Sequence, residues 1–285
     1  MELSKLGKWQ DNIANASIGT GTTKTNLLGA GNFYNVPAGM QSIVAVRPVV
    51  ALKTPTAAQS VVSTLAVTSN DTFVGDFEVP ANPIGSGLGT NETTFADEPH
   101  WYPANIPVVG GNKVQFWGTA MVANTVAPYM AVDIILSDQP SSSFGPQMHY
   151  INNGLNYNGT STTLGGPTTA GTSTGAQITI SGSQPRVLRA LYGVVANTTP
   201  AASQPINGQF GFGSPSLSGP NPIYLSISAT QGFLGTTTAG DLNHISRTEG
   251  LEIPLTNMPA TFTTTITTIV TLSNAPTFFQ TIGYS

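Results

Sequence analysis

The sequence predicts an all-β chain of two tandem eight-stranded antiparallel sandwiches, preceded by a short N-terminal helical arm. Three observations carry that expectation. Segments rich in β-branched and aromatic residues recur at strand length, bounded by Gly, Pro, Asn or Ser, as in "QSIVAVRPVVALK", "KVQFWGTAMVA", "YMAVDIILS" and "IYLSISA". The 31 glycines and 21 prolines punctuate the chain as an antiparallel sandwich requires, while helical periodicity is almost absent. Short motifs also recur in the same order in the two halves.

Taken in order, residues 1–26 form an arm in which Leu3, Leu6, Trp9 and Ile13 fall at helical spacing with Lys5 and Lys8 off the stripe. That pattern predicts a short amphipathic helix, docked on its own or a neighbouring subunit or lying on a membrane surface. Residues 27–140 follow as the first sandwich. Residues 141–176, mostly Gly, Ser, Thr and Asn, read as a connecting loop, and 177–285 as the second sandwich. In "TFTTTITTIVTL" Thr261, Thr263, Thr265 and Thr267 alternate with Phe262, Thr264, Ile266 and Thr268, so a strand there has a polar face and a partly buried one.

The echoes between the halves define the repeat. Gly39 and Gln41 match Gly182 and Gln184 at an offset of 143, and Ala57 and Ala58 match Ala201 and Ala202 at 144. Thr54 and Pro55 match Thr199 and Pro200, "NPI" at 82–84 recurs at 221–223, and "IP" at 106–107 recurs at 253–254 before a long strand. Five echoes in one order favour a tandem duplication. Each copy of about 110 to 120 residues has the size of an eight-stranded jelly roll.

Composition removes several function classes. Charged residues make up 8% of the chain, where about a quarter is usual. No charged residue occurs from Ala190 to Gly240, and no acidic one from Gln139 to Gly240. Such a surface has little repulsion to keep copies apart, which suits faces that meet identical neighbours. A net charge of −4 with nine scattered basic residues offers no stripe for nucleic acid. With no cysteine, disulfides, thiolate metal sites and cysteine nucleophiles are excluded. Residues 1–26 hold no apolar run of signal-peptide length, and no eighteen apolar residues stand together, so neither that secretion route nor a membrane span is expected.

The search for chemistry returns isolated groups. "GTSTG" at 171–175 matches a nucleophile elbow, but Ser173 lies in a Gly/Thr tract read as linker with no helix after it. His100, His149 and His244 have no second histidine at metal-motif spacing, so no metal or cofactor is expected. In "DEPHWYP" Asp97, Glu98 and His100 beside Trp101 and Tyr102 are a candidate pocket lining, against the simpler reading of a capped turn entering a strand. Asp71, Asp76 and Glu78 in "NDTFVGDFE" are a candidate carboxylate pair or calcium site, against the default of a charged strand edge. "GSGLGTN" at 85–91 lacks the lysine and helix of a phosphate cradle. Sequons at Asn15, Asn70, Asn91, Asn158 and Asn197 are the number a Thr-rich chain carries by composition.

Two barrels in tandem, an amphipathic N-terminal segment, no catalytic set and a surface poor in charge resemble the double jelly-roll major capsid proteins of tailless icosahedral viruses of bacteria and archaea. "GNFYNVPAGMQSIVAVRP" and "GAQITISGSQPRVLRALYG" look like the opening strands of the two barrels. The resemblance implies a structural protein without enzymatic activity that forms pseudo-hexagonal homotrimers. These would tile a virion shell with minor capsid or penton proteins, assembled in the host cytoplasm. It further implies that Leu3, Leu6, Trp9 and Ile13 face an internal membrane or a neighbouring subunit. Competing readings are a carbohydrate-binding adhesin or fibre tip using Trp101, Tyr102 and Trp117, and a single-jelly-roll capsid protein with a protruding β-domain. A double-jelly-roll amidase or glycosidase is a further one, for which acid, base and nucleophile candidates lack company.

Overall fold

The structure is a computed structural model, which describes residues 8–18, 23–52, 59–61, 63–69, 77–81, 84–86, 94–95, 99–120, 127–152, 155–156, 160–161, 164–165, 171–196, 204–231, 245–268 and 277–285. It is all-β. The first half contains β1 (Lys8–Ser17), β2 (Thr25–Asn26), β3 (Tyr34–Asn35), β4 (Ser42–Leu52), β5 (Gln59–Val61) and β6 (Ser63–Ser69). It continues through β7 (Glu78–Pro80), β8 (Ile84–Ser86), β9 (Thr94–Phe95), β10 (Tyr102–Pro107), β11 (Lys113–Ala120) and β12 (Tyr129–Ser137). A 3₁₀ turn at Ser141–Ser143 leads into β13 (His149–Asn152), β14 (Leu155–Asn156), β15 (Thr160–Ser161), β16 (Leu164–Gly165) and β17 (Gly171–Ile180). The chain ends with β18 (Arg186–Ala196), β19 (Gln204–Gly213), β20 (Ile223–Gln231), β21 (Ile245–Leu255), β22 (Ala260–Thr268) and β23 (Thr277–Tyr284).

Four antiparallel sheets make two sandwiches. Sheet 1 runs β1-β12-β4-β10 and sheet 2 runs β2-β11-β6-β7, while sheet 3 runs β13-β23-β18-β21 and sheet 4 runs β17-β22-β19-β20. Counting the eight principal strands of each half in chain order, both halves read 1-8-3-6 in one sheet and 2-7-4-5 in the other.

The correspondence extends to single residues. In β4 the register against β12 skips Val44, and in β18 the register against β23 skips Arg189, so Ile43 corresponds to Leu188, Ala45 to Ala190 and Arg47 to Tyr192. On the other side of those strands, β10 is irregular between Pro103 and Ile106 and β21 between Glu249 and Ile253. Each irregularity holds a residue at positive φ, Asn105 at 51° in the first half and Gly250 at 71° in the second. Asparagine is among the side chains that best tolerate that conformation. The recurring Gly39 and Gly182 also share positive φ, at 84° and 106°, in the loop before the equivalent strands β4 and β18, which explains why glycine stands in both. The recurring "IP" follows the irregularity in β10 and β21 alike.

Between sheets 1 and 2 lies a core that includes Val46, Leu65, Phe116, Met130 and Ile134; Ile178, Leu191, Phe210, Phe262 and Ile282 form the core of the second sandwich. β22 behaves as its alternation predicts, with Phe262, Thr264, Ile266 and Thr268 buried and Thr263 exposed. The first core also takes in Tyr150, Ala190 and Tyr192 from the second half. Strand β18 therefore buries Leu188 and Leu191 on one side and Ala190 and Tyr192 on the other.

Three expectations are corrected. The N-terminal helix is absent among the described residues, because residues 8–17 pair with β12 as an edge strand. Between Gln10 and Ala14 that strand runs four residues while its partner runs two, from Ile134 to Val132. The ladder is interrupted there, and the spacing of four from Trp9 to Ile13 fits a two-residue period as well as a helical one. Trp9 lies in this strand, Ile13 packs half-buried against the first core, and Leu3 and Leu6 lie outside the described residues. The span 141–176 carries β13 to β16 and the start of β17 rather than an unstructured connection, and β13 is already an edge strand of sheet 3. Ser173 sits within β17, paired with Ile266, with no strained turn around it.

A Cβ added at Gly193 would stand 2.2 Å from the ring of the buried Phe210. Gly193→Ala is expected to overpack this core and lower the unfolding free energy by about 1–3 kcal/mol, measured by urea titration.

Candidate functional site

Where the two sandwiches meet, the outer face of sheet 3 covers the edge of the first sandwich formed by β10 and β7, and the contact is aromatic. Tyr102 from β10 stands edge-on to Tyr150 of β13 and Tyr192 of β18, with ring centroids 5.9 and 5.2 Å away, and Phe77 meets Tyr150 at 5.0 Å. The Tyr102 and Tyr150 hydroxyls are spent on backbone, donating to the carbonyls of Pro80 at 2.5 Å and Pro103 at 2.8 Å. Burial pushes all three tyrosine pKa values up, so the ring hydroxyls stay neutral.

At the rim this aromatic contact turns polar. His100 precedes β10, and its Nε2 lies 2.6 Å from Glu249 Oε1 on β21. Arg247 Nη1 lies 2.8 Å from His100 Nδ1. A guanidinium only donates, so Nδ1 accepts and the ring hydrogen sits on Nε2, where it donates to Glu249. The Tyr192 hydroxyl donates to the same carboxylate oxygen at 2.6 Å. Burial raises the Glu249 pKa, but the hydrogen bonds from His100 and Tyr192 and the charge of Arg247 outweigh it and hold the carboxyl below the usual range.

Beside this cluster a cleft of about 190 Å³ opens between β10, the connection after the 3₁₀ turn, β18 and β21. Met148, Tyr150 and Leu251 supply apolar wall, with Asn105, Arg189 and Glu252 as polar lining. Asn105 Nδ2 donates to the carbonyls of Phe144 and Pro146, which ties the connection to the first sandwich. Arg189 is shared between Ser285 Oγ at 2.9 Å and Glu252 Oε1 at 3.2 Å. Arg189 and Glu252 are thus partnered within the second sandwich, while His100, bonded to Glu249 and Arg247, clamps one sandwich to the other.

Of the residues singled out in the sequence, His100 and Tyr102 belong to this junction. The junction brings together Tyr150, Tyr192, Arg247 and Glu249, with Arg189 in the cleft beside them, and none of these carries a motif. Arg247 and Glu249 lie 147 and 149 positions from His100, so only the shared place in the repeat would have found them. Asp97 and Glu98 lie outside the described residues, as do Asp71 and Asp76 of the calcium candidate. Glu78 is buried and accepts from Thr64 Oγ1 at 2.9 Å. Among the described residues no three His, Cys, Asp or Glu side chains gather as a metal site. The aromatic residues expected on one glycan face are separated. Trp101 lies on Arg47 at 4.6 Å, which pairs with Asp133 on sheet 1, Trp117 sits under Lys24 on sheet 2, and Tyr102 is buried.

No protein-family model matches the chain, and no curated protein matches it. Among solved structures it is similar to PNGF-II in a C2 crystal form, with a TM-score of 0.52 and 7% identity over 97% of this chain and 64% of that one. A P21 form of PNGF-II gives 0.50 at 7% identity, over 96% and 64%. This chain thus spans less than two thirds of PNGF-II, and at that identity the likeness is one of fold alone. The structure of a T=1 Penaeus vannamei nodavirus matches at a TM-score of 0.23 and 9% identity over 97% of both chains. That of the Gt strain of infectious bursal disease virus matches at 0.26 and 11%, over 97% and 72%. Neither score carries weight.

Removing the hydroxyl of Tyr192 by Tyr192→Phe is expected to cost about 1.5–3 kcal/mol, toward the low end because Glu249 is 37% exposed. A carboxyl held low in the folded chain contributes full stability above the ordinary glutamate value of about 4.3. That contribution is lost as pH falls through the folded value. Glu249→Gln is therefore expected to be less stable than wild type at neutral pH and to close the gap as pH drops below that range, as read from urea titrations across pH.

Proposed function

We propose that this chain is a structural protein of a virus shell, a major capsid protein built as a double jelly roll. The observation that carries the reading is the strand order. In each half the first strand pairs with the eighth, the second with the seventh, the third with the sixth and the fourth with the fifth. A long hairpin with those partners, folded over into two sheets, is a jelly roll. A single jelly roll with a differently built protruding domain would not repeat that order.

Two barrels fixed side by side in one chain give a trimer six similar sides, a tile that packs a flat lattice. The buried junction supports this use, since the barrels must keep one relation for the tile to hold its shape. Scarcity of charge supports it as well, because few ions need desolvation when sides meet. The role is structural rather than enzymatic, the location is the virion, and the first partner is another copy of the chain. Minor capsid or penton proteins complete the vertices.

Light scattering on the purified protein tests this. The expected mass is three chains of 29.5 kDa. A particle of a single chain's mass that persists at high concentration overturns the reading.

A further inference from the structure

The outer face of sheet 4 differs from the other three sheets in carrying no charge. Thr172, Thr174, Gln177 and Thr179 of β17 and Thr261, Thr263, Thr265 and Thr267 of β22 project from it. Gln209, Gly211 and Gly213 of β19 and Tyr224 and Ser226 of β20 complete it. The rows are regular: Ser226, Gln209, Thr267 and Thr172 stand in one line across the four strands, and Tyr224, Gly211, Thr265 and Thr174 in the next. Thr172 and Thr267 are hydrogen-bonded at 2.7 Å and Thr179 and Thr261 at 3.3 Å. By contrast, sheet 1 carries the Arg47–Asp133 pair, sheet 2 carries Lys113 and the Lys24-covered Trp117, and sheet 3 is covered by the first sandwich.

We propose that this face is where one copy of the chain packs against the same face of another, a reading that rests on the shell function above. Three physical features point to a second copy. Hydroxyl and amide groups both donate and accept, so a like face satisfies them, whereas a charged face would leave ions without counterparts. Threonine side chains are stiff and lose little rotamer entropy on ordering. Tyr224, 52% exposed, lies along Gly211 and supplies the aromatic anchor that such contacts centre on.

Area agrees with this. Four strands about 4.8 Å apart and roughly eight residues long at about 3.3 Å each present on the order of 500 Å² per copy. The pair then buries about 1,000 Å², the lower bound for a specific interface. A like-with-like contact has two-fold symmetry, so it joins neighbouring trimers rather than subunits within one.

Sedimentation velocity over a concentration series tests the assignment with wild type, Thr263→Lys, Ser226→Lys and Gln115→Lys, the last placing its charge on sheet 2. Each lysine on sheet 4 would bring a charge without a counterpart into the contact, and association between trimers should weaken at least about tenfold. Gln115→Lys should behave as wild type, and superposable thermal melts check folding, with two sites serving in case one fails to fold. Equal association in all four proteins, wild-type trimers that never pair, or a Thr263→Lys protein that falls to monomers each overturn the assignment. A wild type that pairs through this face yet never forms trimers refutes the shell reading and leaves the face in place.

Discussion

Sheet 3 has to be buried on both sides, and most of what distinguishes the second half from the first follows from that constraint. Its inner face closes the second core and its outer face lies on Tyr102, Phe77 and the β10/β7 edge of the first sandwich. A strand buried on both faces cannot alternate polar with apolar. Hence β18 reads "RVLRALYGVVA" and β23 reads "TFFQTIGY". Among the polar groups caught in these layers, Thr281 donates to Asn152 Oδ1, and Gln280 Nε2 donates to the carbonyls of Gly211 and Thr265. The buried amide of Gln280 thus ties sheet 3 to sheet 4 across the core.

The same constraint shows how two copies of one architecture divide the work. Arg47 and Tyr192 occupy the same place in the repeat, as do their partners Asp133 and Thr281. In the first half this position carries an ion pair with an indole over it. In the second it carries a tyrosine that enters the first core. Electrostatics follows the same division. Among the described residues, the charged residues of the second sandwich stand on β18 and β21, at the junction, and none on sheet 4.

Much of the fold was legible because the features that specify it are local. Period two in β22, glycines at positive φ before β4 and β18, and the "IP" after the bulge in β10 and β21 are each written within a few residues. The N-terminal strand was not legible, since a spacing of four from Trp9 to Ile13 fits helix and strand alike and its pairing with β12 lies more than a hundred residues away. Nor were the strands within 141–176, whose Gly- and Thr-rich sequence is held by β22 and β23 rather than by its own propensity. Of the candidate site, His100 and Tyr102 were visible as part of "DEPHWYP". Their partners Arg247 and Glu249 look like ordinary surface charges until β21 is placed beside β18.

In the proposed trimer, two sandwiches of one strand order held by a buried junction would stand as six lobes around a threefold axis. Electron microscopy of the purified protein is the measurement that decides this. The expected projections down that axis show six lobes of nearly equal size and a hexagonal outline. Projections with three lobes, or a pair of lobes whose separation varies from particle to particle, would contradict it.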